Sequence, residues 1–193
     1  MTEADRTVNG TLARLVRESA PLLTRFLDGF HEENRATQKP NLPNHPIWTL
    51  GHCAFTMARL AHMLGGPEPS PRDFELGDWS AGAGGSVTRF FVEDIAKDST
   101  PSSEAAHYPS LARGRAVIEA ATETLALTIE RMDPTQLAGT VDWGGTAHPI
   151  QSIIGRVAIH NGIHAGQLAD LRRALGFARI LPVTKRPEPP RTA

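Results

Sequence analysis

The sequence predicts an all-α protein, an antiparallel four-helix bundle with one long crossover between its second and third helices. Three observations carry that expectation. Four stretches repeat their apolar residues at steps of three and four, the spacing of a helix with one buried face. Strand-type alternation is nearly absent. The long connection, residues 66 to 109, falls between the second and third helical stretches, an order familiar from helix bundles. A chain of 193 residues suits one compact domain.

The first helix is expected from about Asp5 to Gln38, where Leu12, Leu15, Val16, Leu22, Leu23, Phe26, Leu27 and Phe30 recur at helical spacing. Pro21 falls inside that pattern and should kink or interrupt it near Ser19. The second helix begins after Pro46 and carries Trp48, Leu50, Cys53, Phe55, Met57, Leu60 and Leu64 as far as Gly65-Gly66. In the third, Ser110 is a candidate N-cap, and the stripe Leu111, Val117, Ile118, Ala121, Leu125 and Ile129 ends before Asp133-Pro134. The fourth follows Pro149 and runs to Gly176, a residue suited to ending a helix.

The connections are read more coarsely. Gly139 to His148 suggests a small hairpin turning at Gly144-Gly145. Within the crossover, Ser86 to Ile95 is expected to form a short helix. Its aromatic residues Phe74, Trp79, Phe90 and Phe91 have the character of a lid or pocket wall folded back over the site. The segment SAGAGGS, Ser80 to Ser86, lacks the Lys-Ser/Thr ending of a phosphate loop and reads as a linker. The domain is expected to span 1–181, followed by a flexible proline-rich tail, 182–193.

Composition narrows the function. Twenty basic and twenty-one acidic residues give a net charge of -1 with no basic face, so no nucleic-acid partner is expected. A single cysteine excludes an intrachain disulfide and suits a reducing compartment. No stretch approaches about 18 apolar residues, and the first ten are polar, so neither a membrane span nor a secretory signal is expected. The expected location is cytoplasmic. Eight histidines beside one tyrosine hint at metal chemistry.

The last helix sharpens that hint. Ile150, Ile153, Val157, His160, His164, Gln167, Leu171 and Ala174 form one seam that is apolar at both ends and polar in the middle. Each buried polar side chain without a partner costs roughly 1–3 kcal/mol. Histidines four residues apart lie about 6 Å apart along the axis, so both rings can reach one ion at about 2.0–2.1 Å. Hydrogen bonds between the rings, or to water, would also meet the cost. The seam position and a third histidine favour the ion. That third is His52, on a stripe of the second helix with Trp48, Thr56 and Arg59. Three histidines from two helices would cap one face of an ion and leave positions open, as catalytic sites do.

The stretches WTLGHCAFTMARLAHMLGG (Trp48 to Gly66) and HNGIHAGQLADLRRALG (His160 to Gly176) resemble the two signatures of the DinB/YfiT-like superfamily. The Tyr108-Pro109-Ser110 lead into the third helix is similar as well. The resemblance covers roughly residues 40 to 177. It implies a four-helix bundle with a three-histidine metal site at His52, His160 and His164. Apart from the resemblance, the apolar residues Ile154, Ile159, Ile163 and Leu168 outside the seam lead to the expectation of a homodimer.

Among the other histidines, His62 belongs to another helix face, and His31, His45, His107 and His148 sit near element ends, where capping or solvation is expected. Cys53 lies roughly 100° around the helix from His52 and reads as a small buried hydrophobe.

The spacing H-N-G-I-H mimics a zinc-protease helix but puts Asn161 where a general-base glutamate belongs, so peptide hydrolysis by that route is not expected. Three neutral ligands leave a divalent ion its full charge, which suits activation of a thiol. The family resemblance agrees, since characterised relatives include transferases and isomerases that use low-molecular-weight thiols. The leading expectation is therefore a metal-dependent thiol S-transferase with a small-molecule substrate. A metal-dependent hydrolase and a non-enzymatic metal-binding or stress-response dimer are the alternatives. One divalent ion per chain is expected, zinc or nickel first and iron also compatible. Arg59 is the candidate contact for an anionic group of the thiol, or else part of a surface salt bridge.

Overall fold

The computed structural model describes residues 7–74 and 87–180, and among these the protein is mostly helical. Four long helices carry the core: α1 (Val8–Thr24), α2 (Pro46–Met63), α5 (Leu111–Arg131) and α7 (Ile150–Ala174). Short helices α3 (Pro71–Phe74) and α4 (Val92–Ile95) belong to the connection between α2 and α5, and α6 (Pro134–Leu137) precedes the hairpin. The hairpin pairs β1 (Thr140–Asp142) antiparallel with β2 (Ala147–Pro149) and turns at Gly144 and Gly145, both at positive φ. Trp79, the SAGAGGS segment and the proline-rich tail lie outside the described residues.

The first helix differs from its expectation at both points of detail. It runs through Pro21 to Thr24 without the interruption expected near Ser19. Pro21 is exposed, so the helix bond lost at its nitrogen faces water, which can satisfy the freed carbonyl. The helix also stops well short of Gln38. After a 3-10 turn over Arg25–Leu27, Gly29 takes a φ of +80°, which only glycine adopts cheaply. The following loop is fastened by Arg35, whose guanidinium donates to the carbonyls of Glu32, Ala105 and Pro109.

The other helix starts follow their local chemistry. Ser110 caps α5 by accepting from Arg113 N–H, and His45 caps α2 by accepting from Trp48 N–H. Gly176, at φ +77°, closes α7.

Around the core, α2 packs on α5, α5 on α1, α1 on α7 and α7 on α2, so each long helix touches two others. Fully buried Leu23, Leu50, Met57, Ile118, Leu125 and Leu168 fill the space between them. Because α7 faces both α1 and α2, its buried arc is wider than one seam. Ile154 and Leu168, expected on the outside, are fully buried, whereas Ala174 at the end of the seam is exposed.

Among the described residues, the crossover aromatics Phe74, Phe90 and Phe91 are buried side chains and not a lid. Phe90 is buried against α2 and α5, over Gly51 and Gly114. A Cβ on Gly51 would sit 2.5 Å from the Phe90 ring and 2.9 Å from Ile95. Phe74 packs on Phe55 with ring centroids 5.6 Å apart. The short helix of this region is Val92–Ile95 rather than the longer one expected from Ser86. Its position against α2 brings Ile95 beside His52. No helix among the described residues is long and apolar enough to cross a membrane.

Candidate metal centre

His52 stands nearly two turns into α2, and His160 and His164 stand one turn apart on α7, where the two helices pack together. Their Nε2 atoms converge. His160 Nε2 lies 3.1 Å from His52 Nε2 and 3.1 Å from His164 Nε2. His52 and His164 are buried, and His160 is partly buried.

On His52 and His164 the opposite ring nitrogen is held from behind, whereas the buried Nδ1 of His160 has no hydrogen-bond partner among the described residues. His52 Nδ1 lies 2.6 Å from the Ile95 carbonyl, which can only accept, so Nδ1 carries the proton. His164 Nδ1 lies 2.7 Å from Gln167 Oε1, which also accepts from Asn44 Nδ2 at 2.8 Å. Both rings therefore present an Nε2 lone pair to the centre, the tautomer a metal requires. Trp48, one turn before His52, stacks on its ring at 4.6 Å and 9° and meets His164 edge-on. The indole is itself fixed by Nε1–H donating to Ser99 Oγ at 3.1 Å.

Burial keeps these imidazoles neutral. It lowers the His160 pKa to about 4, with the neighbouring His52 adding to the effect. For His164 burial, then His160 and His52, lower it to about 3, and burial lowers His52 as well. Three neutral rings with lone pairs facing one another repel unless something positive lies between them. A proton on His160 Nε2 could meet one of the two 3.1 Å contacts but not both. Nitrogens on one face of an ion with bonds of about 2.0–2.1 Å stand roughly 2.9–3.4 Å apart, so the spacing suits a metal. His52, His160 and His164 are thus a group that could hold a metal ion, and the donor set fits one.

Beside His52 and His160 opens a cavity of about 170 Å³. Ile153, Arg156 and Val157 of α7 line one side, Thr56 of α2 and Lys97 another, and Trp143 of the hairpin turn closes it. Thr56 donates its hydroxyl to the His52 carbonyl at 2.8 Å. Arg59 stands just outside, its guanidinium 5.2 Å from the Trp143 ring centroid. It forms no salt bridge among the described residues.

Asn161, the residue in the protease-like spacing, turns away from the centre. It is fully buried, donating to Ser19 Oγ at 2.9 Å. The remaining histidines also stay apart: His62 is exposed, His148 pairs with Val141 in the hairpin, and His107 meets Glu104 at 3.2 Å. Cys53 is buried, and burial pushes its thiol pKa up. Sequence reasoning missed Ile95, Lys97, Trp143 and Arg156. Only Arg156 had a local signal, one turn before His160 on the same helix.

A sequence model of the DinB superfamily matches residues 15–168, a span that includes all three histidines and the cavity-lining residues. No curated protein and no solved structure matches the chain.

Proposed function

The chain belongs to the DinB superfamily, and from that membership and the convergence of three Nε2 atoms we propose a divalent-metal-dependent thiol S-transferase on an antiparallel four-helix bundle. The observation that carries the reading is the facial set of three neutral imidazoles with a cavity at its side. A divalent ion bound there supplies Lewis acidity, which draws the pKa of a thiol, ordinarily ~8.5, below neutrality.

The residues of the chain do the rest. Ile95 and Gln167 fix the ring orientations of His52 and His164, so the ligand set is ordered in advance. Ile153, Val157 and Trp143 supply an apolar wall for the reacting end of a substrate. No carboxylate lines the cavity among the described residues, so no side chain there is placed as a general base. A thiol, which ionises without one, fits that surrounding better than water does. Zinc or nickel is the proposed ion, with iron also compatible with three imidazoles.

The test is a cobalt-substituted protein titrated with small thiols. A thiolate charge-transfer band appearing on titration supports the transferase reading. Ester or amide hydrolysis with no added thiol, and no band, would move the assignment to a metal-dependent hydrolase. Silence in both assays leaves a metal-binding protein.

A further inference from the structure

We infer that the cavity beside His52 and His160 selects a small anionic ligand, with Arg156 as its principal charge-recognising residue and Lys97 as a second. The inference rests on the metal-centre reading for what holds the ligand's other end.

The argument starts from the charges on the wall. Ile153, Arg156, Val157 and His160 fall at three- and four-residue steps, so Arg156 shares the cavity face of α7 with a proposed metal ligand. Arg156 forms no ion pair among the described residues, unlike Arg17, Arg113 and Arg173, which all meet carboxylates. Lys97 follows α4 two residues after Ile95, whose carbonyl orients His52. Among the described residues its only carboxylate contact is Asp98 at 3.7 Å, and both side chains are more than four-fifths exposed, so that pairing holds Lys97 weakly. Among the described residues, every formally charged one lining the cavity is therefore a cation. The third nearby cation, Arg59, is engaged over the Trp143 ring and braces that wall.

Size limits the ligand further. A volume of about 170 Å³ holds the equivalent of roughly six waters at ~30 Å³ each. That is room for the reacting end of a small molecule with one carboxylate- or sulfonate-sized group. A guanidinium offers such a group two parallel N–H donors, which an ammonium cannot, and this makes Arg156 the stronger discriminator.

The experiment uses the cobalt-loaded full chain titrated with 3-mercaptopropionate and its neutral counterpart 3-mercaptopropionamide, read by the visible spectrum. The anion is expected to bind about tenfold more tightly, as one charge-assisted contact implies. Arg156→Gln should cut that preference to below about threefold, with cobalt content unchanged, while Arg156→Lys restores part of it. Lys97→Gln should have the smaller effect. Equal affinities in the unaltered protein, or a preference that survives Arg156→Gln, would overturn the inference. Calorimetric titration with propane-1-sulfonate and the neutral methyl propyl sulfone repeats the comparison without a thiol, because neither sulfonates nor sulfones are good metal ligands. If neither thiol alters the cobalt spectrum, the transferase reading falls, and the sulfonate preference alone then decides. A preference lost in Arg156→Gln supports the anion site, and a ratio near one refutes it.

Discussion

The imidazole Nδ1 of His52 lies 2.6 Å from the backbone carbonyl of Ile95, 43 residues further along the chain. This bond sets the tautomer of one candidate ligand and fixes where the crossover lies against α2. It makes the crossover part of the candidate metal centre through its backbone, while the Phe90 side chain serves the core between α2 and α5.

Metal content is the first expectation. Purified protein should carry close to one divalent ion per chain, and His160→Ala or His164→Ala should abolish binding. Elemental analysis finding full occupancy in both variants would remove the assignment. Thermal stability should fall with the ion, because His52 and His160 tie α2 to α7.

Gln167 should matter without touching the ion. Its Oε1 accepts from both His164 Nδ1 and Asn44 Nδ2. Gln167→Leu should weaken metal affinity by about 10- to 100-fold, the usual effect of losing such support. Chelator competition measures this, and an unchanged affinity would show that the His164 ring needs no such brace.

Gly51 tests the path of the crossover. An alanine Cβ would lie 2.5 Å from Phe90 and 2.9 Å from Ile95, so Gly51→Ala should destabilise the fold by about 1–3 kcal/mol. It should also lower metal affinity, since Ile95 must move. Denaturant unfolding and metal titration on the same variant check both effects; a loss of neither would contradict the packing described.

Acid should destabilise the metal-free protein through His45. This residue is fully buried, accepts from Trp48 N–H through Nδ1 and donates through Nε2 to the Ser102 carbonyl, which requires the neutral ring. Burial lowers its pKa from 6.5 to about 4. The unfolded chain therefore takes up a proton that the folded chain refuses between those values. The stability is fully present above pH ~6.5 and lost as pH falls toward ~4, about 3 kcal/mol in all. His160 and His164 titrate in the same sense, so the comparison is with His45→Asn, a cap that does not ionise. Urea midpoints at pH 7 and 4.5 should show a shallower pH dependence in the variant; parallel slopes would count against this role.

Self-association is expected through the outer face of α7. Ile159 and Ile163 are 65% and 57% exposed, one turn apart, with Gly155, Gly162 and Gly166 leaving open space beside them. Sedimentation should give a dimer at micromolar concentration, and Ile159→Lys with Ile163→Lys should give monomer. A monomer before substitution would end the proposal.

The helical class and the positions of the four long helices were legible in the sequence because amphipathic periodicity is a local property. His160 and His164 were legible for the same reason: four residues apart on a helix, two side chains share a face wherever that helix packs. His52 was reachable because its stripe on α2 is equally local. The early end of α1 was less so, since Asp28-Gly29 is a weak signal within a continuing apolar pattern.

What remained was decided by contacts between distant parts of the chain. Ile95 reaches His52 across 43 residues and Asn44 reaches Gln167 across 123, through a backbone carbonyl and a side-chain amide that no motif marks. Trp143 and Lys97 come to the cavity on a hairpin turn and a crossover whose paths follow from how Phe90 seats over Gly51. The sequence by itself determined which side chains could bind a metal, because helix geometry alone points them the same way. Only the tertiary structure decided what holds those rings, what lines the space beside them and which of their neighbours carry charge, because each depends on where separate helices and loops come to rest against one another.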